Sequence, residues 1–258
     1  MHPILVTTPW FNIYSYGFML AVGYSVAIAI TIFKAKQNGL DVGTIFDLMM
    51  MLLVVGVLGS RLLYVIEYIP NKLITKDFLS FEQGGLTFYG SIICGIIFTI
   101  IYTRIKKFSF WKFADSFGFC MGPAIAISRI GCFLNGCCYG KACSPSIGFQ
   151  SRFAGEGYFH ATQLYESFFS LLAFAIIVLY FRKRQTHFGQ IFLGFISMYA
   201  FFRFFIEFLR VENPVFFLGM TLSQIISLLL IATSIILWNI IKKNKNLEYP
   251  STNKEAVK

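Results

Sequence analysis

Val215–Ile241, VFFLGMTLSQIISLLLIATSIILWNII, runs for 27 residues without an Asp, Glu, Lys or Arg. A helix needs about 20 apolar residues to cross a hydrocarbon core about 30 Å thick, so this stretch alone places the chain in a membrane. The composition agrees. The chain is 57% apolar and only 13% charged, with a mean hydropathy of +0.68, too little charge to cover the surface of a water-soluble protein of this size.

Six further apolar runs are centred on Tyr14–Phe33, Thr44–Ile66, Leu86–Thr103, Phe113–Ile127, Gln163–Phe181 and Phe188–Phe208. Several carry an internal charge, namely Asp47, Arg61, Asp115, Glu166, Arg203 or Glu207. Together with Val215–Ile241 they predict an all-α polytopic membrane protein with seven transmembrane helices. The opening MHPILVTTPWFNIYSYG has no Lys or Arg, and no small-residue cleavage site follows the first run. The first run is therefore expected to stay as a helix rather than leave as a signal peptide.

Lys and Arg are enriched in cytoplasmic loops. The connections after helices one, three and five and the tail hold 14 of them, while the opposite side holds 7, with Arg61 inside a span. This bias predicts the N-terminus outside and the C-terminus cytoplasmic, which an odd number of spans requires. The net charge of +10 lies mostly in short juxtamembrane clusters suited to anionic lipid headgroups rather than nucleic acid. The expected organisation is one transmembrane domain over 1–245, with an outer head insertion at about 129–162. A polar, unstructured cytoplasmic tail is expected over 246–258.

With that topology the notable residues converge on the outer side. Arg203, Glu207 and Arg210 stand at i, i+4 and i+7, with Tyr199 one turn earlier, so the four share a helical stripe. Unpaired charges in a span cost several kcal/mol, roughly, and so face one another or a cavity. One reading is an Arg–Glu pair that pins neighbouring helices; the other is an anion site, because two arginines around one glutamate leave positive charge over. Gly84, Gly85 and Gly90 open helix three, where free backbone N–H groups and the helix dipole favour an anion. Arg61 and Arg129 add planar donors suited to phosphate, and phosphate at the outer face of a membrane usually belongs to a lipid. His160 reads as a general base or as an interfacial hydrogen-bonding residue, and Tyr165 and Glu166 share that ambiguity.

Cys132, Cys137, Cys138 and Cys143 stand as C-x4-C-C-x4-C. This is not the paired C-x2-C spacing of zinc ribbons, so no metal is expected. One or two disulfides, free thiols, or a thiol activated by Arg129 remain open. Cys94 and Cys120 lie in spans and read as packing residues.

Six stretches in order resemble the bacterial prolipoprotein diacylglyceryl transferases. They are IYSYGFML (13–20), GSRLLYV (59–65), GGLTFYG (84–90), SRIGCFLNGCCYG (128–140), HATQLYE (160–166) and RFFIEFLR (203–210). The resemblance implies a seven-span inner-membrane enzyme with an outer head and its active site toward the outer face. It implies transfer of the diacylglyceryl group of phosphatidylglycerol to the lipobox cysteine thiol of a preprolipoprotein, with release of glycerol phosphate and without cofactor or metal. Alternatives are a divergent paralogue with another acceptor and a phospholipid-binding or transport protein without chemistry. Carried over by position, the resemblance implies catalytic roles for Arg129, Arg203, Glu207 and Tyr89. Phosphatidylglycerol binding would fall to Arg129, Tyr16, Arg61, Gly85, Asn135, Gly136, Gly140 and Arg210. Tyr89 stands where many members have histidine and others tyrosine. Cys132 replaces the usual asparagine, Cys137 the usual glutamate, and Ala161 the proline common after the histidine.

Overall fold

A computed structural model describes residues 2–8, 12–68, 87–151, 155–211, 215–217 and 219–250. Seven helices in it are long and apolar enough to cross a membrane. We label them α1 (Ser15–Gln37), α2 (Val42–Tyr68), α3 (Phe88–Ile105), α4 (Phe110–Asn135), α5 (Thr162–Arg184), α6 (Gln190–Ile206) and α7 (Leu222–Lys243). α5 contains a π-helical turn at Ile177–Phe181, and α6 tightens into a 3-10 turn at Glu207–Leu209. Two short antiparallel hairpins, Ile4–Thr7 with Asn12–Tyr14 and Val215–Phe217 with Met220–Thr221, precede α1 and α7.

Two of these boundaries differ from the sequence reading. The uncharged stretch Val215–Ile241 is not one helix: Val215–Phe217 and Met220–Thr221 are the strands of the hairpin. Gly219 turns the chain with φ +75. Thr221 then starts α7 with a reciprocal capping box, accepting from the Gln224 N–H at 3.4 Å while its own N–H donates to Gln224 Oε1 at 3.0 Å. The second difference lies in α4, which runs to Asn135 instead of ending before Arg129, so Arg129 and Cys132 are helical residues and not part of a head loop. The helix stops at Gly136, φ +85, in a Schellman arrangement. There the Cys137 N–H donates to Cys132 O (3.2 Å) and the Gly136 N–H to Phe133 O (3.1 Å).

The described chain divides into two compact units, 1–34 with 114–258, and 35–113. In the first, Phe119 of α4, Ala173 and Ile177 of α5, and Ile191 and Phe195 of α6 form a buried apolar cluster. α4 and α6 are also joined by a buried carboxylate. Asp115 accepts hydrogen bonds from the Gly189 and Phe192 N–H groups (2.7 and 3.0 Å) and from Gln185 Nε2 (2.6 Å). Gly189 and Phe192 flank the start of α6, whose first N–H groups have no partner within the helix. Where the composition suggested a frayed tail from residue 246, the chain up to Tyr249 is tied to the α5–α6 connection. The Phe188 N–H donates to Leu247 O and the Tyr249 N–H to Thr186 O, both at 2.7 Å.

In the second unit α2 and α3 approach closely, with Gly90 set against Gly59. Ser91 Oγ donates to Gly56 O at 2.8 Å and the Thr87 N–H to Ser60 O at 3.1 Å. Asp41 caps α2 by accepting from the Thr44 N–H at 2.7 Å, and that bond holds its carboxyl below the usual carboxylate range. Along α3, Ile92, Ile93, Ile96, Ile97, Ile100 and Ile101 are exposed. So long an exposed apolar row is an aggregation surface in water but an ordinary lipid-facing surface in a bilayer.

Asp115 is the clearest stability test. Asp115→Ala strands two buried N–H groups at the start of α6, and roughly 2–4 kcal/mol should be lost. Unfolding in detergent micelles checks this, with Asp115→Asn expected to recover part of the loss.

Candidate active site

The C-terminal ends of α4 and α6 and the N-terminal ends of α5 and α7 meet at one end of the first unit, and five ionised side chains converge there. Glu166, one turn into α5, is the centre. Its Oε2 lies 2.6 Å from Arg129 Nη2 on α4. Its Oε1 lies 3.6 Å from Arg203 Nη1 on α6 and 3.3 Å from Arg210 Nη1 just beyond α6. Arg203 Nη1 also pairs with Glu207 Oε2 at 2.7 Å, the i,i+4 contact expected from the sequence. Both carboxylates are buried.

The surrounding polar groups hold this cluster in place. Thr221, the residue that caps α7, donates its hydroxyl to Glu207 Oε1 at 2.9 Å. Ser223, also on α7, lies 3.5 Å from Arg203 Nη2. The Tyr199 hydroxyl lies within electrostatic reach of Glu166, Arg129 and Arg203. The stripe predicted for Tyr199, Arg203, Glu207 and Arg210 therefore joins α6 to α4, α5 and α7. Three guanidiniums meet two carboxylates, which leaves one positive charge over. The arginines are not equally covered: their side chains are 22% (Arg129), 15% (Arg203) and 9% (Arg210) exposed. Arg129 and Arg203 are thus more exposed than Arg210.

Beside the cluster, the loop after α4 is fixed through its backbone. The carbonyls of Gly136, Cys137 and Cys138 accept from Ser151 Oγ (2.8 Å), Gln163 Nε2 (2.5 Å) and Thr162 Oγ1 (2.8 Å). Gly140 bridges to Arg210, and the Lys141 N–H donates to Leu209 O at 2.7 Å, which ties the head to the end of α6. A Cβ at Gly140 would sit 2.6 Å from Leu209 O and 2.8 Å from Thr162 Cγ2, so only glycine fits. His160 Nδ1 is 3.3 Å from the Tyr165 hydroxyl.

All four loop cysteines are unbridged. The sulfurs of Cys132, Cys137 and Cys138 lie within 4.8 Å of one another. Hydrogen bonding, first from Cys132 and then from Cys138, holds the Cys137 thiol below the usual cysteine range. Tyr16, at the start of α1, is close enough to interact electrostatically with all three sulfurs and with Arg129.

This arrangement has a counterpart among known proteins. The chain matches the model of the family described as prolipoprotein diacylglyceryl transferase over residues 3–240. It belongs to that family. Phosphatidylglycerol–prolipoprotein diacylglyceryl transferase of Clostridium tetani is 33% identical over 244 residues, covering 93% of this chain and 98% of the relative. The protein of the same name from Clostridioides difficile is 34% identical over 236 residues (90% and 92%). That from Enterococcus faecalis is 30% identical over 262 residues (95% and 92%). The family and these relatives are transferases, and this chain is a multi-pass membrane protein.

Of the residues expected at a diacylglyceryl transferase site, Arg129, Arg203, Glu207 and Arg210 come together directly. Asn135, Gly136 and Gly140 frame them through the helix end and the head, and Tyr16 adjoins Arg129. Arg61 and Tyr89 belong to the second unit, where buried Arg61 lies over the Tyr64 ring at 5.4 Å and Tyr89 is partly exposed. Gly85 lies outside the described residues. Glu166 is the residue whose weight the sequence understated. A carboxylate in the apolar run Gln163–Phe181 was a signal of partnership, but nothing in the one-dimensional pattern named three arginines as its partners.

Glu166→Gln should leave three guanidiniums against one carboxylate. Breaking such a buried network costs roughly 3–5 kcal/mol, to be read as a lowered unfolding temperature in detergent.

Proposed function

We propose that this protein transfers the diacylglyceryl group of phosphatidylglycerol to the cysteine thiol of a prolipoprotein lipobox, forming a thioether and releasing glycerol phosphate. The observation that carries this reading is the buried cluster of Arg129, Arg203 and Arg210 around Glu166, with one positive charge over and the Arg129 and Arg203 side chains partly exposed. A phospholipid phosphodiester carries one negative charge, and the planar guanidiniums of Arg129 and Arg203 suit its oxygens. Glu166 and Glu207 hold the guanidiniums in position before the lipid arrives, so little reorganisation is needed.

The chemistry follows from that placement. The acceptor sulfur attacks the glycerol carbon, the C–O bond to phosphate breaks, and the electron pair leaves with the glycerol phosphate, whose phosphate gains a second negative charge. Fixed guanidiniums stabilise that growing charge more than the ground state, which is the condition for catalysis. An unperturbed cysteine has a pKa of about 8.5, so positive surroundings raise the fraction present as the reactive thiolate. The thiol proton passes to a base or to water; Tyr89 is a candidate phenol for hydrogen bonding to the acceptor. Arg129, Arg203 and Glu207 are thus given catalytic roles, and Tyr89 is assigned one by the family resemblance of GGLTFYG alone. Tyr16, Arg61, Gly85, Asn135, Gly136 and Gly140 are assigned to lipid binding, and Arg210 braces Glu166 at the edge of that site.

The Lys and Arg bias supports an orientation with the N-terminus and this site on the outer face of the bacterial cytoplasmic membrane, the tail inside, and the segment between α4 and α5 as an outer head.

Membranes containing Arg203→Ala should transfer labelled diacylglyceryl from phosphatidylglycerol to a lipobox peptide at least about 100-fold more slowly, with Arg203→Lys also impaired because the planar fork is lost. Undiminished transfer would remove Arg203 from the mechanism. Wild-type membranes that bind phosphatidylglycerol yet release no glycerol phosphate in response to the lipobox cysteine would identify a lipid-binding protein instead.

A further inference from the structure

Three of the six cysteines are gathered beside Arg129 and Tyr16. We propose that Cys132, Cys137 and Cys138 form a binding site for a thiophilic divalent ion of the zinc class, held by three thiolates with its fourth position open. A tetrahedral ion about 2.3 Å from each ligand requires sulfurs about 3.8 Å apart. The three Sγ atoms are already within 4.8 Å of one another, so side-chain rotation suffices to close on an ion. A disulfide would draw two sulfurs to about 2.05 Å and leave the third without a role.

The spacing C-x4-C-C does not announce this site, because its ligands straddle a helix end. Cys132 lies on the last turn of α4 and is buried, and the Schellman turn at Gly136 folds the chain back so that Cys137 and Cys138 return to it. Consecutive side chains of an extended segment point to opposite sides. Cys138 departs from extended geometry, with φ +64, and its sulfur shares a side with that of Cys137. The carbonyls of both are held by Gln163 and Thr162, so the ligands are positioned before any ion binds, which lowers the entropy lost on binding.

Ligand type and charge narrow the ion. Thiolates select soft or borderline cations and reject magnesium and calcium. Three thiolates around a divalent ion leave one negative charge, within electrostatic reach of Arg129, which interacts with Cys132 and Cys138. Among the described residues the metal-ligating group has three members and no fourth. Three protein ligands leave a coordination position for water or a thiol, and Tyr16 borders the trio.

The test reads metal rather than activity. Full-length protein is purified in detergent without chelators and analysed by elemental mass spectrometry, then exchanged with cobalt(II). The expected result is roughly one zinc per chain and, after exchange, a near-ultraviolet thiolate-to-cobalt charge-transfer band. Both should persist in Cys143→Ser and fall sharply in Cys132→Ser, Cys137→Ser and Cys138→Ser. Wild-type protein with no bound zinc and no charge-transfer band overturns the proposal whether or not the variants fold. So does a disulfide within the trio in unreduced, alkylated wild-type protein, or a cobalt band unchanged in all three serine variants.

Discussion

A charge inside a membrane-spanning segment must find an opposite charge or a route to water, and in this protein Glu166 meets that constraint for three helices at once. Its two oxygens face arginines from α4 and from the end of α6, while Glu207 links Arg203 to Thr221, the residue that begins α7. Removing these ionised groups from water is expensive, and the network returns that free energy only if every member is in place. The requirement dictates where the helices end and how they are set against one another. The same requirement leaves one guanidinium charge uncompensated among partly exposed side chains, which is the property an anionic lipid would use. Structural cohesion and lipid recognition therefore rest on one set of side chains.

The helix ends carry the remaining specificity. α4 ends in a left-handed glycine that turns the cysteine loop back over the helix, and α6 tightens into a 3-10 turn that presents Arg210 to Glu166 and Leu209 to the head. α7 begins at a threonine that serves two partners, accepting from its own helix and donating to Glu207. At the opposite end of this unit Asp115 has a comparable duty, since one carboxylate there satisfies donors at the start of α6 and on Gln185. At the start of α6 orphan backbone N–H groups are paired with a side chain of α4, while the end of α4 and the start of α7 are satisfied by the adjoining chain itself.

The seven spans were legible because membrane thickness imposes a length and the bilayer excludes charge, and both requirements are written directly in composition. Arg203, Glu207 and Arg210 were legible as a stripe because helical periodicity is local. Glu166 was visible but ambiguous, since its partners lie 37, 37 and 44 positions away or arise from different helices, and no local pattern encodes them. The residues at the start of Val215–Ile241 misled for the opposite reason. They are apolar enough for a span, yet Gly219 and the Thr221 cap divert them into a hairpin.

What the sequence determined by itself is the environment of this chain, the number of its spans and the identity of the charges that must be sheltered, because hydropathy and helical spacing act over a few turns. Only the tertiary structure decided which charge answers which, why Glu166 is the centre, and that Cys132, Cys137 and Cys138 share one corner while Cys143 does not join them. Those outcomes depend on the directions in which helix ends and turns send the chain, and a pairing between distant helices is set by the packing of both, which no single stretch contains.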